Sequence, residues 1–255
     1  MIRGNSGCNI EFTDGKVIKS GPRYSADRLR KQVQKQQLFH SLNFEDIEVP
    51  EVFCEYTVDS VFHFEMQYYN ATDMIYFLNT QSIDRIYWFL ETMIEFISTN
   101  INRSKLQCVS TDSIISKYDS VRIDDRFDRL FYDLPVSILM PIGMCHGDLT
   151  LSNILYTHNK FILVDFLDSF IDTPLIDIAK LRQDTKLHWS LLLYEQEYNK
   201  CRLQTALDYL DKRLAKTFER YRIVHLLEIL NVLRLIPYCT TNQLKQQALE
   251  LLCQL

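Results

Sequence analysis

Two periodicities divide the chain. Up to about residue 69, apolar and polar side chains alternate in short runs, the mark of half-buried strands. Ile10-Glu11-Phe12 leads into Thr13-Asp14-Gly15 and on to Lys16-Val17-Ile18-Lys19, a hairpin closed by an Asp-Gly turn. Ser25 stands where it can cap a helix over about 26–42, with Asp27 in the first turn. Pro50 precedes a strand run from Val52 to Tyr56. A second run, Val61 to Tyr69, carries Phe62, Phe64, Met66 and Tyr68 on one parity.

Beyond about residue 70 the period lengthens. Ile83, Ile86, Tyr87, Leu90, Ile94 and Ile97 follow helical spacing, as do Ile123, Phe127, Leu130, Phe131 and Leu134 before Pro135. Residues 136–170 lose that period and read as short strands and loops. From about 174 the pattern is helical again, through Leu187–Tyr198, Leu203–Leu214, Phe218–Leu235 and Leu244–Leu252. The expected layout is α+β: a β-rich part with one helix over 1–69, then a larger helical part over 70–255 with a strand-loop-strand insert.

Composition narrows the function classes. A formal net charge of -5 argues against a dedicated nucleic-acid binder, which needs clustered Lys and Arg. The start Met1-Ile2-Arg3-Gly4-Asn5 shows no apolar leader region. The longest nearly uncharged apolar stretch, Leu134 to Cys145, falls short of the roughly 20 residues of a membrane span and contains Pro135 and Pro141. No membrane partner is expected. The 7 Cys form no C-x-x-C pair, so reduced thiols in a cytoplasmic protein are the simplest reading. The scattered His give no zinc motif.

The chemistry concentrates in the insert. Met144-Cys145-His146-Gly147-Asp148 is followed by Leu149-Thr150-Leu151-Ser152-Asn153. Two apolar strands, about 153–157 and 161–165, then form a hairpin around His158-Asn159-Lys160. Asp148 precedes that hairpin and Asp165 leaves it, so Asp148, Asn153 and Asp165 are expected to converge as three hard oxygen donors. Phosphoryl transfer asks for such a set. Magnesium takes carboxylate and amide oxygens and shares its shell with nucleotide phosphates, while a separate carboxylate accepts or orients the acceptor hydroxyl. In protein kinases an Asp, an Asn five residues on and a later Asp do these jobs, and Asn153 follows Asp148 by that interval. Cys145 beside His146 reads as a buried thiol, because neighbouring residues on a strand face opposite ways.

This run, with Phe161-Ile162-Leu163-Val164-Asp165-Phe166-Leu167-Asp168 and Asp177-Ile178-Ala179, resembles the aminoglycoside phosphotransferase and choline kinase family of small-molecule kinases. That family reads HGD-x-x-x-x-N, then a hydrophobic strand ending [IV]-D-[FW]-x-[DE], then D-x-A; the clear resemblance spans roughly 144–181. It implies a two-lobed, protein-kinase-like fold with ATP and Mg2+ bound between a small β-rich lobe and a larger helical one. By resemblance, Asp148 is the catalytic base, Asn153 and Asp165 hold magnesium, and His146 supports the loop. Lys19 contacts the nucleotide phosphates, the Gly4-Asn5-Ser6-Gly7 turn covers them through Gly4 and Gly7, and Glu65 and Gln67 lie in the adenine-holding hinge.

The implied activity is transfer of the γ-phosphate to a hydroxyl of a sugar, amino sugar or amino alcohol. The sequence departs from the family at three points. The helix after Lys19 holds no Glu to pair with that lysine, and a glutamine such as Gln34 is the candidate substitute. The glycine turn is short, and Leu167 replaces a usual Gly. These departures favour the alternative, a pseudokinase-like nucleotide-binding module with little turnover. The Arg182 to Trp189 segment has two readings: Arg182, Asp184 and Trp189 line the acceptor pocket, or they form a solvated helix start.

Overall fold

A computed structural model describes residues 2–3, 8–239 and 241–255. In chain order, the first elements are β1 (Ile2–Arg3), β2 (Asn9–Thr13), β3 (Lys16–Pro22) and α1 (Ala26–His40). Then come β4 (Ile47–Glu48), β5 (Val52–Val58), β6 (Val61–Gln67), β7 (Thr72–Asp73), α2 (Met74–Thr80) and α3 (Ile83–Arg103). The middle holds β8 (Lys105–Ser110), α4 (Asp112–Val121), α5 (Asp128–Tyr132), β9 (Ser137–Ile142), β10 (Ile154–Thr157) and β11 (Lys160–Leu163). The chain ends in α6 (Leu175–Thr185), α7 (Trp189–Leu192), α8 (Lys200–Thr217), α9 (Ile223–Leu235) and α10 (Asn242–Leu252).

Two compact units organise these elements: the chain through Phe77 together with Ser152–Asp168, and Leu78–Leu151 together with Ser169–Leu255. A single cut near residue 70 does not describe this division. Residues 152–168 join the first unit because β10 and β11 complete a four-stranded sheet, in the order β4-β11-β10-β7, with strands from the N-terminal part.

The first unit also contains a five-stranded sheet in the order β1-β2-β3-β6-β5. Asp14 and Gly15 both have positive φ, as do Asp59 and Ser60 between β5 and β6, and His158 and Asn159 between β10 and β11. These three hairpins therefore turn through two left-handed residues, the geometry that follows the natural twist of paired strands. Helix α1 packs on the sheet as expected. Leu29 and Val33 are buried with Val17, Phe62, Phe64 and Met66, each such side chain contributing about 1.5–3 kcal/mol. Gly21 permits this approach, since a side-chain carbon there would lie 2.8 Å from the Leu29 methyl. Ser25 takes the cap position but makes no side-chain cap; its hydroxyl donates to the Pro22 carbonyl at 2.8 Å.

In the second unit α3 buries Ile86, Leu90, Ile94 and Ile97, while Ile83 and Tyr87 are exposed. The expected helix over 123–134 shortens to α5. The Asp124 carboxylate accepts the Arg126 N–H at 3.0 Å, a local turn that competes with helix formation. The expected helix over 187–198 reduces to α7, preceded by His188 in the left-handed region at φ 56°. The β8–β9 ribbon and α4 carry no clear sequence signal, since β8 is mostly exposed and α4 buries only Ile114 and Tyr118. Helix α6 packs against α8 and α9 and is buried along almost its whole length. Among the described residues no helix is long and apolar enough to cross a membrane.

Candidate active site

Lys19 sits in mid-strand on β3, registered against Ile10 and Phe64, and only 3% of it is exposed. Its ammonium lies 2.6 Å from Oδ1 of Asp165. A buried lysine needs such a partner, because an isolated buried charge is strongly disfavoured. Asp165 follows β11 with φ 61°, a left-handed conformation uncommon for a residue other than glycine and found preferentially at functional sites. The Val164 N–H donates to the Asn153 carbonyl at 3.0 Å, so the hairpin register brings Asn153 to the strand end that Asp165 leaves. Asn153 itself closes a short 3-10 turn, Leu151–Asn153. The donor set of amide and carboxylate oxygens fits a magnesium ion that shares its shell with phosphates. Among the described residues no group of three or more His, Cys, Asp or Glu gathers, so a zinc-like cage is not built there.

Helix α1 grips the segment after Asp165 with three side chains spaced four residues apart. The Lys31 ammonium lies 2.6 Å from the Asp168 carboxylate, and Lys35 donates to the Leu167 carbonyl at 2.7 Å. The Phe39 ring packs on Phe166 at 5.0 Å between centroids. The helix thus offers cations, not a carboxylate, to this part of the site, and Lys19 finds its acid directly in Asp165. Gln34 is exposed and does not stand in for a helix glutamate. The buried glutamines on that helix are Gln32 and Gln36, each 3% exposed; Gln36 donates to the Pro50 carbonyl at 2.7 Å, whereas Gln32 Oε1 has no hydrogen-bond partner among the described residues.

Glu65 lies inside β6, registered against both Ile18 and Cys54, and its carboxylate pairs with Lys16 at 2.9 Å. The Gln67 N–H donates to the Glu51 carbonyl at 2.9 Å. Glu65 thus lies within the sheet, and the Gln67 N–H is already engaged. Gly4 and Gly7 lie outside the described residues.

Asp148 belongs to the second unit, on a loop held from α6. Gly147 adopts φ 85°, where a side chain would be strained; this is the physical demand for glycine between His146 and Asp148. The fully buried Asp177 accepts the His146 N–H at 2.7 Å and the Gly147 N–H at 2.8 Å. Two turns further along the same face, the fully buried Asp184 accepts the Leu151 N–H at 2.7 Å and the Ser190 N–H at 2.8 Å. The Asp148 N–H donates to Nδ1 of the buried His146 at 3.2 Å, a supporting part for that ring. Cys145 is fully buried, with its thiol 3.7 Å from the Asp172 carboxylate.

The Lys180 ammonium lies 3.0 Å from Oδ1 of Asp148. Burial pushes the Asp148 carboxyl up, but Lys180, with smaller help from His146 and Arg234, outweighs it and holds the group below the usual carboxylate range. Burial pushes Asp184 the other way, above that range, against the pull of its N–H donors. Asp184 is therefore a loop anchor and does not line a pocket. Arg182 is likewise engaged, reaching Asp211 at 2.8 and 3.2 Å and also pairing with Glu228. Trp189 is largely buried in α7. Sequence reasoning missed Lys180; its only signal was a lysine one turn after Asp177 on a helix otherwise rich in apolar residues.

Residues 112–196 match the phosphotransferase enzyme family. No curated protein sequence matches the chain. Among solved structures, a thermostable mutant of the aminoglycoside phosphotransferase APH(4)-Ia, in complex with ADP and hygromycin B, superposes with a TM-score of 0.58. That match has 10% identity and covers 97% of this chain and 94% of the other. A glucosamine kinase superposes with a TM-score of 0.57 at 11% identity, covering 94% of this chain and 75% of the other. The chain shares the fold of these two kinases, and the segment that matches the phosphotransferase enzyme family, 112–196, contains Asp148, Asn153 and Asp165.

Proposed function

We propose that the protein is an ATP- and Mg2+-dependent phosphotransferase that moves the γ-phosphate to a hydroxyl of a small molecule, a sugar, amino sugar or amino alcohol. The observation that carries this reading is the pair of Lys19 on β3 with Asp165, residues 146 positions apart, where Asp165 follows a hairpin whose first strand begins just after Asn153. Lys19 neutralises nucleotide phosphates, and Asn153 and Asp165 hold magnesium, which supplies charge neutralisation when bound. Asp148 orients the acceptor hydroxyl and receives its proton. The test is a screen of candidate alcohols for acceptor-dependent ATP consumption with magnesium. Consumption stimulated by a hydroxyl compound, with the phosphorylated product recovered, supports the reading; a flat response across all classes overturns it.

One observation favours a second reading, a nucleotide-binding module with little turnover. Helix α1 brings Lys31 and Lys35, not a carboxylate, to the Asp165 segment, so Lys19 shares its charge with Asp165 and not with a helix acid. Magnesium-dependent ATP binding without transfer to any acceptor is its expected signature.

A further inference from the structure

We propose that Lys180 is a positioning residue for phosphoryl transfer, holding the Asp148 carboxylate in one orientation from the side of α6. The inference rests on the kinase reading above and adds a residue to it.

The geometry carries it. Lys180 is 5% exposed, and its side chain sits on an almost wholly buried helix. An apolar residue of similar length would fill that space without the cost of burying an ammonium. Its partner is the Asp148 carboxylate at 3.0 Å, and the Asp148 side chain keeps 24% of its surface accessible. One end of the pair is thus sealed in the helix layer and the other is reachable by a solute. Asp177 and Asp184 flank Lys180 on the same helical stripe and fix the loop backbone at His146, Gly147 and Leu151. With the backbone fixed, the freedom left to Asp148 is rotation of its side chain, which the ion pair removes. The groups acting on the carboxyl are Lys180, His146 and Arg234, with Asp184 as the nearby acid.

The chemistry follows. In phosphoryl transfer the bond from the γ-phosphorus to the ADP oxygen breaks as the bond to the acceptor oxygen forms. The hydroxyl proton passes to the Asp148 carboxylate and then to solvent. The transition state is loose, so the acceptor oxygen needs placement more than it needs a strong base. An ionised carboxylate held in one direction meets that need. Lys180 touches no reacting atom; it acts through Asp148.

The test is a double-mutant cycle in the full chain. Lys180→Met is expected to lower kcat at least about tenfold with the KM for magnesium-ATP nearly unchanged, since an interaction expressed only in the transition state leaves ground-state binding alone. Lys180→Arg, which keeps the charge, is expected to recover most of that loss. In an Asp148→Asn background, Lys180→Met is expected to cost no further rate, because the group it positions is gone. Should Lys180→Met fail to fold, Lys180→Arg and the double variant, which removes both charges, carry the comparison. Unchanged kcat in Lys180→Met, or equal losses in both backgrounds, overturns the role while leaving the kinase reading intact. A wild type that transfers phosphate to no hydroxyl overturns the kinase reading and this role together.

Discussion

Lys19 and Asp165 form an ion pair at 2.6 Å across 146 residues of sequence, with the lysine buried and the carboxylate partly open to solvent. The pair gives the left-handed backbone at Asp165 a structural cause, since it directs the carboxylate to Lys19. Replacing Asp165 by Ala is expected to abolish the magnesium dependence of ATP binding and to leave Lys19 buried without its acid. Calorimetric titration with ATP, with and without magnesium, checks this. Unchanged magnesium-dependent affinity would remove Asp165 from the metal site.

For Asp148 the expected loss is in rate. Asp148→Asn preserves size and some hydrogen bonding but takes no proton. Phosphoryl transfer is expected to fall by at least about a hundredfold, within the 10²–10⁴ range of general-base contributions, while magnesium-ATP binds nearly normally. Steady-state kinetics on the true acceptor, together with binding measurements, separate the two effects.

Gly147 offers a test of backbone demand. At φ 85° a β-carbon is strained, so Gly147→Ala is expected to destabilise the fold by about 1–2 kcal/mol. A urea titration reads the change. A midpoint equal to wild type would mean that the loop tolerates the side chain by rearranging.

Asp177 has no exposure and satisfies two backbone N–H groups of the loop. Asp177→Ala orphans both, at about 1–3 kcal/mol each, so it is expected to destabilise more than Gly147→Ala. The same titration ranks the two variants, and the reverse order would contradict the anchoring role.

The pH dependence has a definite sign. Asp148 in the folded protein sits below its ordinary value, because Lys180 outweighs burial. Such a group contributes stability above its unfolded value, near pH 4, and loses it as pH falls through the folded value. Unfolding free energy is therefore expected to fall below about pH 4 in wild type, and more shallowly in Asp148→Asn. Denaturant titrations across that window read the difference.

Much of this protein was legible in its residue order because the constraints involved are local. Asp14-Gly15 and His158-Asn159 specify turns through their own backbone preferences, so the β2–β3 and β10–β11 hairpins could be read directly. The spacing from Asp148 to Asn153, and the apolar strand before Asp165, are likewise contained in one short segment. Packing decided what depends on distant partners. Asp177, Lys180 and Asp184 share one stripe of α6, but a helix with charges at that spacing looks the same whether solvent or a loop lies against it. Only the loop's N–H groups and the Asp148 carboxylate make them anchors. Glu65 and Gln67 match a hinge in order along the chain, but only the sheet pairs the Glu65 carboxylate with Lys16 and the Gln67 N–H with the Glu51 carbonyl. The partners of Lys31 and Lys35 on α1 are set only when the chain returns, after β11, with Leu167 and Asp168. Side-chain chemistry is written residue by residue, whereas the partner that uses it is chosen by tertiary contacts between segments far apart in sequence.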